Sequence, residues 1–78
     1  MDTTIAWTLD RGGRTELAIY NLLGQRIRRL VSADLEPGHH AARWDGMTDD
    51  GYTVTSGVYI AVLSQGGRTE SHRLLLLK

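Results

Sequence analysis

Asp45, Asp49 and Asp50 fall within six residues of one another, interleaved with Gly46 and Gly51. Clustered carboxylates are the usual ligands of hard cations, and calcium accepts many oxygen geometries. The regular helix–loop–helix calcium pattern is not met. Counted from Asp45, position 3 is Met47, position 6 is Asp50 and position 12 is Ser56, where that pattern needs an oxygen ligand, a glycine and a bidentate Glu. An irregular site built from the three carboxylates is one reading. The stronger reading is turn chemistry. An Asp side chain bonds the backbone two residues on, and glycine supplies positive φ. Asp45-Gly46 and Asp50-Gly51 then make two turns in series, anchored by Trp44 before them and by Val58-Tyr59 after.

Other chemistry is weaker still. Ser56, Ser64 and Ser71 lie outside any G-x-S-x-G nucleophile elbow. His39 and His40 are adjacent, so on a strand they point to opposite faces and cannot chelate together; a rim role fits them better. His72 stands alone. There is no cysteine, hence no thiolate and no disulfide, and the redox compartment stays open. The formal net charge is zero, which argues against nucleic acid as a partner. A chain of 78 residues makes one domain, too small to keep a core and also frame a ligand pocket of roughly 300 Å³ or more. An internal Lys–Asn isopeptide bond would have to use Lys78, the only lysine. We therefore expect no catalytic residues, no cofactor, no metal and no small-molecule substrate.

The elements that hold these residues read as strands. Ile5, Trp7 and Leu9 alternate with Thr4, Ala6 and Thr8, the period of a half-buried strand. Asp10-Arg11-Gly12-Gly13 is a turn, after which Leu17 and Ile19 share a face. Asn21-Leu22-Leu23-Gly24 closes a hairpin with Gly24 at its left-handed position. Ile27 and Leu30 are three apart, which predicts a β-bulge near Arg28-Arg29 or an early strand end. Glu36-Pro37-Gly38 ends a loop, and His40, Ala42 and Trp44 then share a face. In the next strand Val58, Ile60 and Val62 alternate with Tyr59, Ala61 and Leu63. Both sets are apolar, so this strand is expected to be central and covered on both sides. Gln65-Gly66-Gly67-Arg68 is a second hairpin turn, followed by a last strand from Thr69 to Leu77. No segment carries helical spacing with caps. The expected fold is all-β, a small sandwich of about seven antiparallel strands. Trp44 should be buried among Ile5, Leu17, Ile19 and Ile60. The start, Met1-Asp2-Thr3, has no basic or apolar targeting region, and the longest apolar run, Leu74 to Leu77, has four residues.

Five segments together carry a family resemblance: "TIAWTLDRGGRTELAIY", "NLLGQRIRRL", "PGHHAARWDG", "DDGYTVTSGVYIAVL" and "HRLLLLK". The chain resembles the immunoglobulin-like domain shared by bacterial flagellar hook-capping proteins and the C-terminal sorting domains of type IX secretion cargo. Thr4, Ile5, Leu9, Ile19, Tyr20, Gly24, Arg28, Leu30, Gly38, Val54 and Val58 fall on that pattern. So do the residues of its most specific elements, W-D-G and S-G-V-Y: Trp44, Asp45, Gly46, Gly51, Ser56, Gly57 and Tyr59. The usual Asn-Pro-Phe-Asn-Pro lead is replaced by Met1-Asp2, so the resemblance implies a single domain, residues 1–78, cut from the end of a larger exported protein.

The resemblance implies a non-enzymatic role, and the closing apolar strand ending in Lys78 leans it toward sorting. A cargo domain would precede this one. An outer-membrane secretion protein would read the folded domain, and the product would be secreted or held at the cell surface after crossing the periplasm of a Gram-negative-type bacterium. The partner-binding residues expected on location are Arg73, Leu75, Leu77 and Lys78 on the last hairpin, with Leu74 and Leu76 in the core. The alternative is a structural immunoglobulin-like spacer module of a surface or hook-capping-like protein.

Overall fold

A computed structural model describes residues 2–77. Six antiparallel strands follow one another along the chain: β1 (Thr3–Leu9), β2 (Gly13–Tyr20), β3 (Arg26–Leu35), β4 (Gly38–Trp44), β5 (Gly57–Gln65) and β6 (Arg68–Leu76). They form two sheets. β1 pairs with β4, and the other four run in the order β3-β2-β5-β6. The alternation seen in the sequence sets which face each strand buries. Ile5, Leu9 and Trp44 come from the two-stranded sheet, and Leu17, Ile19, Tyr59, Ala61, Leu63 and Leu76 from the four-stranded one. Val54 joins them from the loop between β4 and β5. Each large aliphatic side chain so buried contributes about 1.5–3 kcal/mol.

Both hairpins form as the glycines require. Gly24 has φ +81 and donates to Asn21 O at 3.1 Å. Gly66 and Gly67 have φ +56 and +80, so the β5–β6 turn needs two left-handed residues, the demand of a type I′ hairpin. The expected bulge is present, and it is double. Leu17 pairs with Val31 but Ala18 with Arg29; Ile19 pairs with Arg28 but Tyr20 with Arg26. The skipped residues are Leu30 and Ile27, and both pack against the core. Two extra residues let the inner side of β3 present apolar groups three apart instead of two.

The described residues form six strands, close to the expected seven and in the expected all-β sandwich. Where a further strand would lie, residues 45–56 form a loop with one isolated bridge, Met47 to Thr53, because two turns in series leave no room for an extended run. Ile60 is not beside Trp44. It sits one residue out of phase with Tyr59 and Ala61, so it faces away from the core, and Tyr59 takes its place with ring centroids 5.3 Å from those of Trp44. β5 is central, as expected, but only one of its faces is covered by the second sheet; Val58, Ile60 and Val62 remain half-buried on the outer face.

The two ends of the sandwich differ. Leu9 pairs with Gly38 and Thr15 with Gln65 at one end; Thr3 pairs with Trp44 and Leu76 with Gly57 at the other. β1 therefore begins, and β6 ends, beside the 45–56 loop. At the opposite end the buried Thr15 hydroxyl donates to Gly13 O at 3.1 Å and accepts from Gln65 Nε2 at 3.2 Å. The same Nε2 donates to Arg11 O at 2.9 Å, tying the β1–β2 connection to β5.

The two tryptophans should respond differently to substitution. Trp44 is fully buried and its Nε1 donates to Met47 O at 2.9 Å. Trp44→Ala is expected to cost about 3–5 kcal/mol, most of a small domain's stability of about 5. Trp7 stacks on His40 at 5.9 Å, and its buried Nε1 has no partner among the described residues. Trp7→Phe keeps the ring and removes the orphan donor, so it is expected to stay within about 1 kcal/mol of the parent. Urea unfolding followed by circular dichroism checks both; equal losses would refute the assignment.

Candidate functional site

The 45–56 loop carries the specific sequence elements, and its shape follows from them. Asp45 Oδ1 accepts from Met47 N at 3.0 Å, the bond expected of an Asp that opens a turn. Gly46 follows at φ +78 and Gly51 at φ +88, backbone that a β-carbon would strain. Val54 N donates to Gly46 O at 2.9 Å, Thr48 N to Tyr52 O at 2.7 Å and Gly51 N to Thr48 O at 3.0 Å, so the loop folds back on itself as a small hairpin. Its two ends are held by aromatic rings: Trp44 Nε1 donates to Met47 O, and Tyr59 Oη donates to Thr55 O at 2.7 Å. Ser56 is exposed at the loop's end, and Gly57 opens β5.

Arg28 laces this loop to β3. Its Nη1 donates to Met47 O and Thr48 O, both at 3.4 Å, and lies 3.7 Å from Asp45 Oδ1. Its Nε lies 3.9 Å from Asp49 Oδ1, which also accepts from Arg29 N at 3.1 Å. Asp49 N completes the seam with a bond to Ile27 O at 3.0 Å. The guanidinium thus occupies the space between Asp45 and Asp49 that a cation would need. Asp50 is exposed at the turn. No cluster of three potential ligands is arranged for a metal among the described residues. The sequence places Arg28 at the expected bulge and on the family pattern, and leaves its role in holding the loop unseen. The available signal was an acidic loop, and an arginine on the strand whose bulge the sequence already implied.

The expected partner-binding residues divide. Arg73 and Leu75 lie exposed on the outer face of β6, directly opposite Ile60 and Val58. Leu77 is exposed just past the strand, while Leu76 is buried and Leu74 packs against the core. Lys78 lies outside the described residues. β6 has β5 as its neighbour on one side and is an edge on the other. His39 and His40 point apart: His39 Nδ1 is 3.0 Å from Thr8 Oγ1, and His40 Nε2 is 2.7 Å from Glu36 O.

The size argument against a pocket does not hold. A cleft of about 650 Å³ lies at the end away from the 45–56 loop, walled by Leu9, Arg11, Arg14, Gln65, Arg68 and Glu70. Asp10 and Glu70 line it along with the arginines, so its charge selects no single ligand class.

With the geometry described, comparison places the chain. A model of the FlgD Ig-like domain matches residues 2–68. The chain belongs to this family. Among solved structures, FlgD from P. aeruginosa resembles it with a TM-score of 0.71 at 20% identity, over 97% of this chain and 60% of that one. Identity that low shows the fold, an immunoglobulin-like sandwich. The chain thus spans 60% of that FlgD. No curated protein matches it. In this FlgD Ig-like domain the matched segment holds β1 to β5 and the whole 45–56 loop, and it stops where β6 starts.

The loop chemistry makes a paired prediction. Asp45→Asn keeps an oxygen for Met47 N and should cost less than about 0.5 kcal/mol, whereas Asp45→Ala loses the bond and should cost about 1 kcal/mol. Excess calcium should leave the melting temperature of the parent unchanged, since a bound ion would raise it by mass action. Arg28→Met should cost about 1–2 kcal/mol, chiefly through the two loop carbonyls, because ion pairs near 4 Å at half-exposed positions are weak. Thermal denaturation with and without calcium measures all three.

Proposed function

We propose that the chain serves as a non-catalytic structural module of a hook-capping-type protein. The observation that carries this is the FlgD Ig-like match over residues 2–68, joined by a FlgD neighbour whose fold coincides with nearly the whole chain. The loop at 45–56 supports the same reading. Its carboxylates hold turns and an arginine, and its aromatics hold the loop ends, so the residues with the most chemical potential are engaged in architecture. What such a module offers is a rigid body with surfaces. The type IX sorting reading, with its outer-membrane partner, its preceding cargo domain and its cell-surface destination, draws on the same resemblance. The comparisons favour the hook-capping branch and lend nothing specific to the sorting one.

One experiment separates the two. Residues 3–78 are fused to the C-terminus of a periplasm-targeted reporter in a host with a type IX system. A structural module should leave the reporter folded in the periplasm, as judged by fractionation and protease resistance. Appearance of the reporter outside the cell, abolished by deleting residues 74–78, would overturn the proposal in favour of sorting.

A further inference from the structure

The outer face of the four-stranded sheet is unusual for a sheet turned to solvent. Solvated faces of antiparallel sheets ordinarily read polar, with apolar residues confined to the core side. Here the register brings Ala18 opposite Val62 and Tyr20 opposite Ile60 across the two central strands, with Val58 next on β5. Leu75, 64% exposed, stands opposite Val58 on β6. The result is an apolar field along the middle of the face, running toward the end where Leu22 and Leu23 project from the β2–β3 turn.

Arginines flank this field on both edges. Arg29 pairs with Ala18 and Arg26 with Tyr20 on the β3 side, and Arg73 pairs with Ile60 on the β6 side. All three are exposed, and none has a carboxylate within ion-pair distance among the described residues. The acidic residues of this face, Glu16 and Asp34, lie beyond the field toward the other end. Glu16 is already engaged there: Arg14 donates to Ser32 Oγ at 2.7 Å, and that hydroxyl donates to Glu16 Oε1 at 3.3 Å.

We propose that this face docks a protein surface that is flat, apolar at its centre and rimmed by carboxylates. Charge complementarity selects the rim, because unpaired arginines on both edges leave an acidic border as the favourable match. The apolar centre sets the half-buried Val58, Ile60, Val62 and Tyr20 around the buried Ala18, a surface that suits face-to-face packing about 10 Å from another layer. The inference stands apart from the hook-capping reading, since it rests on the face alone.

The test uses a defined probe, a cyclised two-stranded peptide with valines along one face and glutamates at its borders, and a twin with lysines in place of the glutamates. Binding to the isotope-labelled chain is followed by amide chemical shifts. The glutamate probe should saturate, with shifts centred on Ala18, Tyr20, Val58, Ile60, Val62 and Leu75. The lysine twin should bind about tenfold more weakly or not at all, given that exposed charge pairs are individually modest. The double variant Arg29→Glu, Arg73→Glu should reverse the preference while keeping the parent's melting temperature, as both positions are exposed. Equal binding of both probes, or shifts centred elsewhere, would overturn the proposal. So would a concentration-dependent dimer through this face in analytical ultracentrifugation without probe, or tighter association with phosphatidylserine vesicles than with the glutamate probe.

Discussion

The fold depends on the contact between Trp44 and Tyr59. One ring ends β4, the other lies near the start of β5, and they meet edge to face within the core. Aromatic pairs in this geometry are worth about 0.5–1.5 kcal/mol beyond their buried area. Their polar ends matter as much. Each reaches out of the core to a carbonyl of the connecting loop, so the loop is pinned at both ends by atoms whose positions the core fixes. A twelve-residue connection would otherwise be a mobile crossing between sheets. Held this way it becomes a rigid cap, and Arg28 sews its middle to β3.

Much of this was legible in the chain. Period-two alternation placed β1, β2, β4 and β5, because a shift by one residue would turn the buried face of such a strand to water; β3 was legible through its three-residue spacing and β6 through the glycine turn before it. The glycine turns were legible for the same kind of reason, since positive φ leaves few alternatives. β5 misled. Its doubly apolar pattern reads as a strand covered on both sides, and the assignment of Ile60 to the core followed from that. Within this chain the second layer has only two strands and lies on one side of β5. The pattern was therefore real, but it described an outer face that this chain does not itself cover. Arg28 was illegible for a different reason. Its partners are backbone carbonyls far along the chain, and sequence carries no sign of which carbonyls a fold will leave in reach.

The cleft at the far end shows the limit of arguing from size. A small domain cannot hollow out its core, yet a cleft can form outside it between connections and strand ends. The arginines and carboxylates that wall that space are surface residues brought together by topology. The outer sheet face has a different character, since its apolar centre and flanking arginines are set by strand register along its length.

The start of β1 and the end of β6, both beside the 45–56 loop, have a mechanical meaning. A polypeptide passing through this domain enters at β1 and leaves from β6 at the same pole. Tension along that polypeptide does not stretch the sandwich lengthwise. It peels β1 from β4 and β6 from β5, loading the hydrogen-bonded pairs one after another instead of all at once. A domain whose ends leave from opposite poles is loaded in shear and resists as a strut. A domain with both connections at one pole would instead hang from its chain as a pendant, its far pole and broad faces carried clear of the attachment.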